Sequence, residues 1–168
     1  GIEGGAIYID WATNTVTCCE KSVTSVVIPN GVTAIGEDAF YRNTNLTEVI
    51  IPEGVTEIGE YAFYECKNLS KVVLPEGITK IENDTFSGCT TLKEIEIPAK
   101  LIGIGEKAFY NCKGLEKLEI PVTITEIGTD AFLGAVLNID VEFGGGEESK
   151  IIDIPEILKR AKNKDDIL

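Results

Sequence analysis

Ile51-Pro-Glu-Gly-Val-Thr-Glu-Ile-Gly-Glu-Tyr-Ala-Phe-Tyr-Glu-Cys66 decides the fold, because the chain writes this stretch out repeatedly with small changes. Its proline recurs as Pro29, Pro52, Pro75, Pro98 and Pro121, and its phenylalanine as Phe40, Phe63, Phe86, Phe109 and Phe132, each series at intervals of 23 residues. A fixed period of this size marks a chain that winds one small unit per repeat and stacks the coils, since no single coil can bury its apolar side alone. Aligned on the proline, the units run Ile28 to Ile50, Ile51 to Val73, Leu74 to Glu96, Ile97 to Glu119, and a fifth from Ile120 that degrades after Phe132.

The shared pattern is I-P-x-x-V-x-x-I-G-x-x-A-F-x-x-C-x-x-L-x-x-V-x, and its apolar letters form columns such as Val49, Val72, Ile95 and Leu118. In Leu46-Thr-Glu-Val-Ile-Ile-Pro52 the inward Val49 and Ile51 alternate with Glu48 and Ile50, the period of two that defines a strand. Successive copies of that strand are expected side by side and parallel, about 4.8 Å apart. Pro52 ends the strand because it cannot donate to a ladder. Val55-Thr-Glu-Ile58 reads as a second short strand, and Gly36, Gly59, Gly105 and Gly128 as bends that need positive φ. Glu60-Tyr-Ala-Phe-Tyr-Glu-Cys66 reads as one or two turns of helix or 3₁₀ on the outer side.

These units resemble the BspA-like leucine-rich repeats of bacterial cell-surface proteins, and the likeness covers Val23 to Phe132, with Ile51 to Cys66 and Ile97 to Cys112 its best copies. Departures fall at Asn43 and Ala135 for cysteine, Thr85 for alanine and Glu82 for glycine. The resemblance implies a β-rich α/β fold: a right-handed leucine-rich-repeat solenoid of about five coils, with parallel strands on a concave face. It also implies extracellular protein binding of the adhesion type and a secreted or cell-surface location.

The 168 residues suit a single domain, with residues 1–22 as an N-terminal capping hairpin, 23–143 as repeats and 144–168 as a linker and capping helix. Ala6-Ile-Tyr-Ile-Asp10 and Thr15-Val-Thr-Cys-Cys19 supply the hairpin, and Glu156 to Ala161 the helix. Gly1 and the absence of methionine point to a fragment of a longer chain. No apolar run is long enough to span a bilayer. A net charge of −13 excludes nucleic acid, whose phosphates need clustered Lys and Arg. Cys66, Cys89 and Cys112 form a repeat column and read as buried thiols, while Cys18 and Cys19, adjacent on a strand, are expected on opposite faces. With no histidine, no phosphate loop and no G-x-S-x-G, the chain reads as no enzyme, with no cofactor and no metal.

Two columns of the main strands face outward. Glu48, Lys71, Glu94, Lys117 and Asp140 alternate in sign, so each finds an opposite charge one strand away. Val27, Ile50, Val73, Glu96, Glu119 and Glu142 are apolar for three coils and acidic for three, a division the fold does not require. These six are the expected partner-binding residues, against a protein partner. A calcium site at Glu96, Glu119 and Glu142 is a weaker reading, because calcium takes six or more oxygens. A spacer that displays another domain, and a carbohydrate-binding module built on the outer-side column Tyr41, Tyr64 and Tyr110, are the alternatives.

Overall fold

The structure, a computed structural model, describes residues 2–3, 6–135 and 140–144, with the side chains at 2, 3, 117 and 140–144 outside that description. Within it the 23-residue unit becomes a coil with one three-residue strand, a two-residue strand after the first corner, and an outer run of turns. The strands in chain order are β1 Ile2–Glu3, β2 Ile7–Asp10, β3 Thr15–Cys19, β4 Ser25–Val27, β5 Ala34–Ile35, β6 Glu48–Ile50 and β7 Glu57–Ile58. They continue as β8 Lys71–Val73, β9 Lys80–Ile81, β10 Glu94–Glu96, β11 Gly103–Ile104, β12 Lys117–Pro121, β13 Glu126–Ile127 and β14 Asp140–Gly144. The main sheet runs β14-β12-β10-β8-β6-β4, parallel at every step. This is a parallel-strand β-solenoid of about five turns. Glu156 to Ala161, expected as a capping helix, lies outside the described residues.

The N-terminal hairpin forms as expected from β2 and β3, antiparallel, with β1 added on its far edge. Its attachment is to the second sheet, where β3 pairs in parallel with β5. A bulge between Tyr8 and Ile9 leaves both Thr17 and Cys18 facing outward and turns Cys19 into the core. Trp11 lies over the first turn, where a Cβ on Gly31 would sit 3.5 Å from its ring.

The core is a set of columns through the stack. Phe40, Phe63, Phe86, Phe109 and Phe132 are fully buried and stack with ring centroids 5.0, 5.4, 5.6 and 5.3 Å apart, nearly parallel throughout. At that separation parallel rings are offset, the arrangement their quadrupoles favour. Cys66, Cys89 and Cys112 are buried, and each thiol donates to the carbonyl of a phenylalanine 26 residues earlier, at 3.1, 3.1 and 3.0 Å. Asn43 holds this position in the first coil. Its Nδ2 donates to the Glu20 carbonyl at 3.1 Å, and its Oδ1 accepts from Lys21, so a longer polar side chain meets the differently spaced hairpin end. Ala135 closes the column in the fifth coil.

No helix occurs among the described residues, so the α/β expectation gives way to an all-β solenoid with turns outside. The reason lies in where the amides point. Ala62, Tyr64 and Cys66 bond to the carbonyls three residues back, whereas Tyr61, Phe63 and Glu65 bond to Asn83, Thr85 and Ser87 in the next coil. A helix would turn every amide inward to residue i−4; here every second one links coils. To aim them outward, the first and third of the three hold positive φ, as at Tyr61 (59°) and Glu65 (51°) and again at Asp84 (56°) and Gly88 (77°).

The bend glycines serve a purpose other than the expected one. Gly36, Gly59, Gly105 and Gly128 do not have positive φ; they let the preceding coil's backbone approach. A Cβ on Gly59 would lie 2.6 Å from the Glu37 amide nitrogen, and one on Gly128 only 2.3 Å from that of Glu106. Where Glu82 replaces this glycine, the second ladder breaks: β3-β5-β7 and β9-β11-β13 belong to separate sheets.

Four measurements check this packing. Phe86→Ala, at the centre of the stack, should lose about 3–5 kcal/mol in chemical denaturation. Gly128→Ala should cost about 1–3 kcal/mol through backbone overlap, whereas Gly54→Ala, whose Cβ would meet its nearest neighbour at an ordinary 3.6 Å, should leave the melting temperature unchanged within error. Burial pushes the Cys66 and Cys112 thiols up to about 12, and Cys19 to about 11. A thiol reagent should therefore label one of the five cysteines in the native chain, the exposed Cys18. The folded thiols release protons later than the unfolded ones, whose ordinary value is 9.0, so this contribution is complete below pH 9 and lost as pH rises toward about 12. Thermal melts should show that decline, less steeply in Cys66→Ala, the residue Ala135 already supplies in the fifth coil.

Candidate functional site

Each three-residue main strand buries its middle side chain and turns the other two outward. The registers put the expected columns together. Ser25 lies opposite Glu48, Glu48 opposite Lys71, Lys71 opposite Glu94, Glu94 opposite Lys117 and Lys117 opposite Asp140. Lys71 Nζ stands 3.9 Å from Glu94 Oε2, both exposed. An exposed pair of that geometry adds little stability and fixes the strip's charge pattern more than its fold.

The second column is the one with surface to offer. Val27 opposes Ile50 and Val73 opposes Glu96, so apolar and acidic halves meet at the β8–β10 step. Val27 is 70% exposed, Ile50 48% and Val73 47%. Exposed β-branched residues along one column form a patch, and strand formation alone does not demand it: Glu96 and Glu119 hold the same column within β10 and β12. Glu142 in β14 faces Glu119 in register, but its side chain lies outside the described residues.

The acidic half is also concave. A shallow groove of about 860 Å³ opens beside Glu94, Glu96 and Glu119, floored by Ile97, Ala99, Pro121 and Val122 and flanked by Glu76, Glu116 and Lys93. Glu76, Ile97, Ala99 and Val122 follow β8, β10 and β12 into their corners, whereas Lys93 and Glu116 directly precede β10 and β12. Alternation along the strands reveals Glu96 and Glu119; it cannot reveal Glu76, Glu116 or Val122, which reach the groove only through coil geometry. Five carboxylates and one ammonium line it, so it carries net negative charge and an apolar base. Among the described residues no group of three or more His, Cys, Asp or Glu side chains is arranged to hold a metal ion.

Of the expected outer column, Tyr41 and Tyr64 come together, while Tyr110 stands two coils further on, past Ser87. Tyr41 stacks on Tyr64, and Tyr61, absent from the expected column, joins them edge-on. Its own column, Asp38, Tyr61, Asp84, Lys107 and Asp130, is the first positive-φ position of each outer turn. The recurrent aspartate there was the available signal, since Asp tolerates that region better than most residues.

The family model for the BspA type leucine rich repeat region matches residues 13–138 in 6 copies. Among solved structures, a leucine-rich repeat protein from Bacteroides ovatus is 31% identical, with a TM-score of 0.76 over 85% of this chain and 40% of that one. The chain thus spans well under half the length of that relative. The Treponema pallidum leucine rich repeat protein superposes with a TM-score of 0.72 at 24% identity, covering 97% of this chain and 94% of that one. The pneumococcal vaccine antigen PcpA shares the fold at 19% identity and a TM-score of 0.52, over 71% of this chain and 39% of that one. No curated protein matches the chain by sequence.

Proposed function

Because the chain belongs to the BspA-type leucine-rich repeat family, whose general role is protein interaction, we propose that it is an adhesion-type protein-binding module, secreted or held at a bacterial cell surface. The outer face of the main sheet is its contact surface. The observation that supports this reading is the in-register patch of Val27, Ile50 and Val73, left largely in solvent beside an acidic, apolar-floored groove. Burying such a patch removes apolar area from water at roughly 25 cal/mol per Å² before the costs of association. Glu96, Glu119 and Glu142 would complement basic residues on the partner, raising the encounter rate and fixing register more than adding raw affinity. The right-handed, concave form implied by the family would present both halves to one partner.

The test uses immobilised extracellular-matrix and cell-surface proteins, probed with the parent and with a Val27→Asp, Ile50→Asp, Val73→Asp variant. The three sites are solvent-exposed, so the variant should melt within a few degrees of the parent while capture falls at least tenfold. A folded variant that still captures the same protein would refute the patch as the contact surface. Capture by neither protein would instead favour a spacer that displays a neighbouring domain.

A further inference from the structure

The outer turns of the first two coils carry an aromatic cluster that the protein-binding reading leaves unused. Tyr41 stacks on Tyr64 with centroids 5.0 Å apart, and Tyr61 meets Tyr64 edge-on at 5.4 Å. The planes of Tyr41 and Tyr61 are inclined at 58°, with centroids 6.5 Å apart, so the two rings make a corner. Together with Lys21, Glu37 and Asp38 they line a depression of about 590 Å³.

The coil does not require either ring. The third coil has Ser87 where the first two have Tyr41 and Tyr64, and the fifth has Leu133. Tyr61 is the costlier choice, because its backbone sits at φ 59°, where three sister positions carry aspartate. That region costs a residue with a Cβ about 1–2 kcal/mol. A bulky outlier of this kind on a surface is a reason to look for a site.

The corner is also held in place. The Asp84 carboxylate lies near the Tyr61 phenol, and its charge pushes that phenol's pKa up, keeping it protonated. Arg42 lies over Tyr41 at 5.4 Å and bonds Glu65 at 2.7 Å. Lys21 Nζ donates to the Tyr41 carbonyl and to Asn43 Oδ1, which fixes it beside the depression. Rings and polar groups are thus set before any ligand arrives, which lowers the ordering cost of binding.

The polar rim then selects the ligand. The lining offers two carboxylates, Glu37 and Asp38, and one ammonium, Lys21, while Arg42 stands outside it and is already paired with Glu65, so anions are disfavoured and acceptors outnumber donors. An aromatic wall with an acceptor-rich rim suits a polyol, which brings many hydroxyl donors: the C–H face of a sugar ring lies on the aromatic face, and its hydroxyls donate to carboxylates and accept from Lys21. We infer that the Tyr41–Tyr61 corner is a binding site for a neutral pyranose oligosaccharide, separate from the protein-binding face of the main sheet.

The experiment is saturation-transfer NMR and calorimetric titration of the full chain with maltotriose, mannotriose and triacetylchitotriose. The variants are Tyr41→Ser and Tyr61→Asp, each taking the residue that the third coil already folds with, and Tyr110→Ala as a control in the fourth coil. The expected result is binding of at least one trisaccharide, weakened at least tenfold in both corner variants and unchanged in Tyr110→Ala and in the Val27→Asp, Ile50→Asp, Val73→Asp variant. Absence of binding by all three sugars would overturn the inference, as would binding that survives in a corner variant whose melting matches the parent.

Discussion

Backbone hydrogen bonding between successive coils is the constraint on which the rest of this molecule depends. No coil satisfies all of its own amides. On the outer side Phe40, Phe63, Phe86 and Phe109 donate forward to Ala62, Thr85, Ala108 and Ala131, while just before the main strand Thr47, Lys93 and Glu116 donate back to Thr24, Ser70 and Lys93. Each coil is therefore held from both sides, and the residue count per coil cannot drift without uncoupling a ladder. A buried amide or carbonyl left unpaired would cost about 1–3 kcal/mol, and among the described residues no buried side-chain N or O is left without a partner.

The columns follow from that locking. Once coils are in register, like residues lie above like, so the phenylalanines stack ring on ring and the cysteines offer thiol protons to carbonyls one coil away. The same register arranges the outward residues, which the core does not need. Charges alternate in one column because like signs on adjacent strands repel. The other column is free of that discipline, and it divides into an apolar half and an acidic half. A structural element under so many internal constraints makes any departure from them informative. Glu82 is one such departure and falls where a ladder breaks; Tyr61 is another and builds an aromatic corner.

The solenoid, the strand positions and the buried columns were legible in the sequence because each rests on repetition: five copies average out local noise. The outer turns were not. Glu60-Tyr-Ala-Phe-Tyr-Glu-Cys66 has the composition of a short helix, and only the recurrence of Asp38, Asp84 and Asp130, with Gly88, Asn111 and Gly134 four residues after such positions, hinted at left-handed backbone. The bend glycines looked like turn residues because spacing shows where the chain bends and cannot show how close the next coil lies. In the candidate site, alternation along the strands exposed Val27, Ile50, Val73, Glu96 and Glu119. The groove escaped it, because Glu76 and Val122 come from corners whose direction the period does not specify.

Amide hydrogen exchange, resolved residue by residue, tests the central claim most directly. If the outer turns are a ladder between coils, the amides of Phe63, Glu65, Phe86 and Phe109 should be protected about as strongly as the main-strand amides of Val72 and Ile95, and should open with them as one unit. Fast exchange at those outer amides beside a protected main sheet would contradict the account. It would mean that the main sheet alone holds the stack, and that the rigid outer corner of Tyr41 and Tyr61 does not exist in solution.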